Sequence, residues 1–302
     1  MAIIDEIKMR FRSGSLLLKL IYINIGVFVM LKLAMLVCSL LGVSPMLIAA
    51  AVELPSQWID VLHRPWTLIT YMFMHGSIMH IFMNMLCLYW FGVVFMEYNT
   101  PKQLVALYVL SGFGGAAVYL AAYALLPSFA AMQGNLVGAS AAVLGIMVAI
   151  GLQAPNYRIN LLFIGAVAMK WVVMCMLLIV MLSYDGTNMG GDVAHIGGAI
   201  VGALYALLLR KGCDITKAIN RTIDAVVGTF AKRKPSGSGK YHYSASAPSG
   251  QKRSSVRSRF VSEQEERVDA ILEKIKQSGY SALTQEEKEI IFSVGRKNEK
   301  KQ

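Results

Sequence analysis

Ser140 and His195 are the two side chains whose types and settings suit covalent chemistry in this chain. Ser140 lies in Gly138-Ala139-Ser140-Ala141, at the head of the apolar run 142–152. His195 lies in Ala194-His195-Ile196-Gly197-Gly198, at the head of the apolar run 199–209. A serine hydroxyl is a weak nucleophile until a neighbouring base accepts its proton. An imidazole, which ordinarily titrates near neutrality, is suited to that task. A serine alone at the start of an apolar helix reads as a cap or a backbone-bonded residue, and a lone histidine there as packing or a proton relay. The pair together points to peptide-bond hydrolysis.

Attack on a carbonyl places negative charge on its oxygen, and donors must meet that charge. His80 and Asn84 are four apart, so they share one helix face. Together with the backbone N–H of Ser140 they are the candidate oxyanion donors. One such donor is typically worth about 2.7–4 kcal/mol in the transition state. Asp192 stands three residues before His195, where it either orients the imidazole or caps the helix. Asp is a preferred N-cap, and capping is the expectation here. The predicted unit is therefore a Ser–His dyad without a third acid.

The elements that must carry these groups are membrane spans. The chain is 56% hydrophobic and only 16% charged, against about 25% charged in an average soluble domain. Only five of its 29 Lys+Arg (Lys32, Arg64, Lys102, Arg158 and Lys170) fall within residues 20–209. A block so poor in charge reads as a polytopic membrane protein. The net charge of +11 therefore sits at the ends, where it sets topology rather than marking nucleic-acid binding. Lys8, Arg10, Arg12 and Lys19 stand before or at the start of the first span, and Arg210, Lys211, Lys217 and Arg221 at or after the end of the last. The positive-inside rule then places both termini in the cytoplasm, which needs an even number of spans.

Six spans fit: residues 18–42, 78–98, 102–126, 138–154, 168–185 and 193–211. Several fall short of the ~20 residues of a lipid-facing span, as suits helices enclosed by neighbours or starting beneath a polar cavity. The segment 43–74 carries Pro45, Glu53, Pro55, Asp60, Arg64 and Pro65 and is expected to be an interfacial or partly re-entrant loop. With six spans, the second, fourth and sixth run in one direction, so His80, Asn84, Ser140 and His195 share a depth near the outer face. Polar groups inside a membrane are costly unless paired or hydrated, and a convergent set marks a functional site. Gly198-x-x-x-Gly202 permits close helix contact, which between spans four and six would bring Ser140 toward His195. Lys32 has no evident role. Lys170 marks the cytoplasmic end of the fifth span, and His75 supports the loop before the second.

The four cysteines, Cys38, Cys87, Cys175 and Cys213, are isolated, and neither a disulfide framework nor a metal site is expected. Past Arg210, Ile215, Ile219, Ile223, Val226 and Phe230 repeat at helical spacing, predicting an amphipathic interfacial helix over 212–231. Residues 232–262, rich in Ser, Gly, Lys and Arg, are expected to form a disordered basic linker containing His242. Residues 263–302 form a predicted small helical module, with a Val268, Ile271, Leu272 and Ile275 stripe and a capping box from Thr284. Residues 1–17 are the predicted cytoplasmic N-terminus.

These motifs resemble the rhomboid family of intramembrane serine proteases. The family pattern is His-x-x-x-Asn in the second helix, Gly-x-Ser-Gly in the fourth and Ala-His-x-x-Gly-x-x-x-Gly in the sixth. Here it reads His80…Asn84, Gly138-Ala139-Ser140-Ala141 and Ala194-His195…Gly198…Gly202, with His75 and Glu97 matching further family positions. The resemblance covers residues 14–211. It implies an all-α, six-helix bundle over 18–211, with Ser140 as nucleophile, His195 as base, and His80, Asn84 and the Ser140 backbone as the oxyanion site. It also implies single-pass membrane protein substrates held in the lipid bilayer, and no metal or organic cofactor. Three positions depart from the pattern. Ala141 replaces a glycine, Leu144 replaces a frequent aromatic ring against the histidine, and Trp66-Thr67 replaces a Trp-Arg pair, so the arginine contact of the first loop is either missing or supplied by Arg64. These departures bear on rate and substrate range.

The chemistry leaves a second class, a non-catalytic relative that binds membrane clients and routes them onward. Such relatives typically lose the serine or the histidine, and this chain keeps both. A third, a small transporter with His80 and His195 as a proton path, would make Ser140 dispensable. The expected compartment is a bacterial plasma membrane.

Overall fold

The computed structural model describes residues 14–129, 132–161, 165–182 and 188–230, with the isolated positions Ile271, Lys274 and Thr284. The chain divides into two compact units, Met1–Lys234 and Pro235–Gln302. In the second, Ile271 is buried and lies, like Lys274, at a helical position. The predicted linker 232–262 and most of the module 263–302 lie outside the described residues, as do Lys8, Arg10 and Arg12.

The first unit is a helix bundle. Among the described residues, four helices are long and apolar enough to cross a membrane: α1 (Leu16–Leu40), α5 (Ile78–Tyr98), α6 (Pro101–Leu125) and α9 (Met189–Arg210). Between α1 and α5 lie the short helices α2 (Met46–Val52), α3 (Trp58–His63) and α4 (Thr67–Thr70). Two more apolar helices, α7 (Ser140–Gln153) and α8 (Met169–Leu182), have only 14 residues each. The chain is an integral membrane protein of all-α polytopic fold. α10 (Thr216–Phe230) follows the last span and packs on α6.

The short α7 is the most enclosed element, buried at every residue from Ala141 to Gly151. It spans about 20 Å at 1.5 Å per residue, and its neighbours rather than lipid surround it. α1 lies at the periphery. It contacts α5 and α6 while Met30, Leu33, Leu36 and Leu40 stay exposed on its other side, as a lipid-facing helix requires.

α9 packs most extensively against α6 and α7, and small residues make this close approach workable. A Cβ on Gly198 would run into the Ala141 carbonyl and lie 3.0 Å from Ala141 Cα. One on Gly202 would run into the Gly145 carbonyl. Ala141 and Gly145 are thus met in order by Gly198 and Gly202, so α7 and α9 run parallel with backbones in contact. Against α6 the order reverses, Gly114 meeting Gly197 and Gly115 meeting Ala194.

The segment between α1 and α5 is held by side chains that complete the end of α2. The last carbonyls of a helix lack intrahelical partners. Here Ala50 accepts from the Arg64 guanidinium, Ala51 from Trp66 Nε1 at 2.8 Å, and Val52 from Thr70 Oγ1 at 2.8 Å. Arg64 therefore supports the loop, while Thr67 turns inward and donates its hydroxyl to the Arg64 carbonyl.

Two small ribbons accompany the helices. β1 (Leu54–Pro55) pairs antiparallel with β2 (Asn135–Leu136), and β3 (Arg158–Leu161) pairs with β4 (Gly165–Ala168). The second is a hairpin between α7 and α8 that the span pattern gave no sign of.

Candidate active site

Ser140 is the first residue of α7, so its N–H belongs to the first turn, whose donors the helix itself leaves unused. The approach to it is fixed on both flanks. Upstream, β2 is zipped to β1, Ser56 N–H donates to the Gly134 carbonyl at 3.0 Å, and Gly134 N–H returns to Ser56 Oγ at 3.2 Å. Nearer the serine, Gly138 N–H donates to the Tyr71 carbonyl at 2.9 Å. Tyr71 OH in turn donates to the Gly112 carbonyl on α6 at 2.6 Å.

Gly138 needs its missing side chain twice over. Its φ of +119° lies where side chains strain the backbone. A Cβ there would also sit 2.8–2.9 Å from His80 Cε1 and Nε2. The His80 ring therefore lies directly over the loop that delivers the serine.

The α7–α9 register brings His195 to Ser140. Ser140 precedes Ala141 by one residue, and His195 precedes Gly198 by about one turn. His195 Nε2 and Ser140 Oγ stand 2.7 Å apart, at hydrogen-bond distance. The other imidazole nitrogen, Nδ1, is buried and has no hydrogen-bond partner among the described residues.

Asp192 does not cap the helix. α9 begins at Met189, and Asn188 is its cap, the side-chain oxygen accepting from Gly191 N–H at 3.2 Å. Asp192 thus falls in the first turn, where a carboxylate favours the helix dipole, and His195 comes in the second turn instead of opening the helix. The expected start at 193 is about one turn late, because the helix runs back through Gly191 and Gly190 to Met189.

His80 and Asn84 lie in the first two turns of α5. Ser77 caps that helix, its Oγ accepting from His80 N–H at 3.1 Å. Asn84 is buried and donates one amide hydrogen to the His80 carbonyl at 2.9 Å, and its second amide hydrogen can serve a ligand. His80, Asn84, Ser140, Asn188, Asp192 and His195 line one cavity of about 440 Å³, together with apolar residues such as Met147 and Met176. All four predicted site residues are thus gathered around one space. A second cavity of about 570 Å³, nearly all apolar, lies between α8 and α9, and Leu144, Asp192 and His195 line both. Leu144, where an aromatic ring was the family expectation, stands in this shared wall.

Two further side chains support this site, His75, expected to hold the loop before the second span, and Lys32, which had no evident role in the sequence. Lys32 reaches from α1 to donate to the Gly76 carbonyl at 2.9 Å. His75 is buried and packs edge-on against His80, with ring centroids 5.2 Å apart. Burial, together with the neighbouring His80, pushes the His75 imidazole down to about 4. Glu53, beside β1, is pushed up by burial against the opposing hydrogen bond with Asn135.

No group of three His, Cys, Asp or Glu side chains that could hold a metal ion occurs among the described residues.

A sequence model of the rhomboid domain matches residues 62–212, the stretch that holds α5 to α9 and every residue of the cavity. The chain belongs to the rhomboid family. Among curated proteins it is similar to RHOMBOID-like protein 12, mitochondrial, of Arabidopsis thaliana, at 32% identity over 49% of this chain and 48% of that protein. It is also similar to RHOMBOID-like protein 7 of the same plant, at 28% over 59% and 53%. RHOMBOID-like protein 6, mitochondrial, matches at 29% over 49% and 44%. The chain spans about half the length of these curated relatives. They are plant proteins, two of them named mitochondrial, and give no support to the bacterial plasma-membrane expectation.

Proposed function

We propose that the chain is an intramembrane serine endopeptidase acting on single-pass membrane proteins in or near their membrane segment. The 2.7 Å approach of His195 Nε2 to Ser140 Oγ carries this reading. In the proposed reaction Ser140 Oγ attacks the scissile carbonyl carbon while His195 Nε2 takes the hydroxyl proton. The resulting oxyanion is met by the Ser140 N–H, by Asn84 Nδ2 and by the His80 ring. On collapse, the C–N bond breaks and the amine leaves with the proton from His195, giving an acyl-serine ester. A water, deprotonated by the same imidazole, attacks the ester and releases the carboxylate and the free serine.

The site is built by helix ends rather than by a soluble loop, which supports a substrate presented from within the bilayer. An extended backbone is required for attack, so helix-destabilising segments of the substrate are the expected targets. In this reading both termini lie in the cytoplasm, which the basic flanks of the span block support.

The test is cleavage of a generic transmembrane substrate by the purified protein in liposomes. Wild type should cleave. Ser140→Ala and His195→Ala should each lower the rate by about 10³-fold or more, with unchanged folding. Equal cleavage by all three proteins, or none by wild type, removes the proteolytic reading and leaves client binding as the alternative.

A further inference from the structure

We infer that Lys32 is a positioning residue for the oxyanion donor His80, acting across the α1–α5 boundary. α1 is a 25-residue apolar helix with only Lys19 and Lys32 as charged residues. Lys19 stands in its first turn, but Lys32 lies two-thirds of the way along. A cation at such a place in a membrane helix costs free energy and usually marks function.

Its surroundings supply that function. The Lys32 ammonium donates to the Gly76 carbonyl at 2.9 Å and lies 5.7 Å from the Phe28 ring centroid, one turn away. Phe28 meets His75 edge-on at 6.5 Å, and His75 meets His80 edge-on at 5.2 Å. The row ends on His80, whose ring covers Gly138 two residues from Ser140. Lys32 thus holds this row at two points, the backbone between His75 and the Ser77 cap, and the ring at its far end. Released from Lys32, the entry to α5 loses its anchor to α1. The His80 ring is then free to turn away from the position where charge develops, and small misplacements of a donor cost large factors in rate.

The kinetic arm of the test rests on the proteolytic reading, and a spectroscopic arm does not. Lys32→Met removes the ammonium but suits an apolar helix, and Lys32→Arg keeps a cationic donor. For Lys32→Met we expect kcat about tenfold lower or less still, KM for the transmembrane substrate unchanged, and thermal stability equal or higher. Lys32→Arg should stay near wild type. In a His80→Ala background the Lys32→Met effect should vanish, because the route runs through His80. Wild-type kcat in Lys32→Met, or an equal loss with and without His80, overturns the inference.

If wild type cleaves nothing, the proteolytic reading fails by itself and imidazole ¹⁵N NMR of the full-length chain decides. Lys32→Met should move the His80 resonances and leave those of His63 in place. Unmoved His80 resonances overturn the inference whatever the activity.

Discussion

The two ends of the bundle are built from the same helices by opposite rules. At one end α5, α7 and α9 present His80, Asn84, Ser140 and His195 to a cavity. At the other, the same three helices finish in a closed polar knot. Asn99 at the end of α5 donates to Gln153 at the end of α7 (2.7 Å), and Tyr205 on α9 donates to Asn99 at 2.8 Å. Beside it, Gln103 donates to Asp214 at 2.9 Å, and Asp214 accepts from Thr216 N–H at 2.9 Å as it starts α10. In the knot, polar groups satisfy one another. At the cavity, the Asn84 amide and the Ser140 N–H keep donor capacity, and His195 Nδ1 is buried without a hydrogen-bond partner among the described residues. A buried polar network that is fully paired makes a rigid base, and donors held in reserve are what a reacting carbonyl needs. The difference teaches that this bundle is clamped far from the cavity so that it can stay open beside it.

The largest way to break that division is to part the helices where they touch. Gly198→Val places a branched side chain on the Ala141 backbone. It should separate Ser140 from His195, abolish cleavage, and lower stability by about 3 kcal/mol or more. Gly26→Ala is the control. Nothing lies within 4 Å of a Cβ there, and it should match wild type or exceed it in thermal unfolding. A functional Gly198→Val would show that the α7–α9 contact does not set the site.

Breaking the knot should give the reverse signature. Asn99→Ala deprives Gln153 and Tyr205 of a partner in a mostly buried place, at a cost of about 1–3 kcal/mol. The site lies about 20 Å away along α7, so the rate per folded molecule should hold. Thermal unfolding and activity normalised to folded protein, measured together, check this. A fall in normalised rate would mean the two ends are coupled.

The site end was the more legible from sequence. Ser140 and His195 could be paired because each heads an apolar run, and Gly198 and Gly202 announced a close contact in the right place. The apolar helices likewise follow from hydropathy, to within a few residues at most ends, though only four of them are long enough by length and composition to cross a membrane among the described residues. The knot was invisible, since Asn99 and Gln153 look like ordinary polar residues at helix ends, and only the fold shows that they meet. Lys32 gave no clue because its partner is a backbone carbonyl 44 positions away, and any residue type offers one. Asp192 misled because a preferred capping residue stood near an expected start, while Asn188 held the actual one. The β3–β4 hairpin was missed because its apolar residues continue the pattern of the adjoining spans.

Acid should act on the two ends in sequence. His75 is held neutral by burial, so a proton that the unfolded chain takes up near its ordinary value of about 6.5 is refused by the folded one until about 4. Its contribution is complete above 6.5 and is lost as pH falls toward 4. Asp214 behaves differently. Burial opposes its charge, yet hydrogen bonds from Thr216 and Gln103 and the Lys217 charge hold it below its ordinary value of 3.8. Its contribution survives to lower pH, being lost only as pH falls through that depressed value. Glu53, raised by burial, works against His75, since acid relieves it. Thermal unfolding against pH should therefore show a decline between 6.5 and 4 that is smaller in His75→Gln. An identical decline in the variant would remove His75 as its source.

The smallest expected effect concerns how α10 is fastened to the knot. Lys102 Nζ lies 2.8 Å from Asp224 Oδ1, but both side chains are about 60% exposed. Water screens such a pair, and exposed ion pairs are worth roughly 0–1 kcal/mol. Asp214 and Thr216 fasten the other end of α10 with a hydroxyl bond of 2.5 Å, and Thr216 is fully buried. A double-mutant cycle on Lys102→Ala and Asp224→Ala should thus give a coupling under about 1 kcal/mol that shrinks further in added salt. Thr216→Val, which keeps the side-chain volume but removes the hydroxyl, should loosen α10 more, read as faster amide exchange along 216–225. If the ion-pair variants free the helix and Thr216→Val does not, then charge rather than the buried cap holds α10, and the closed end is less self-sufficient than its hydrogen bonds imply.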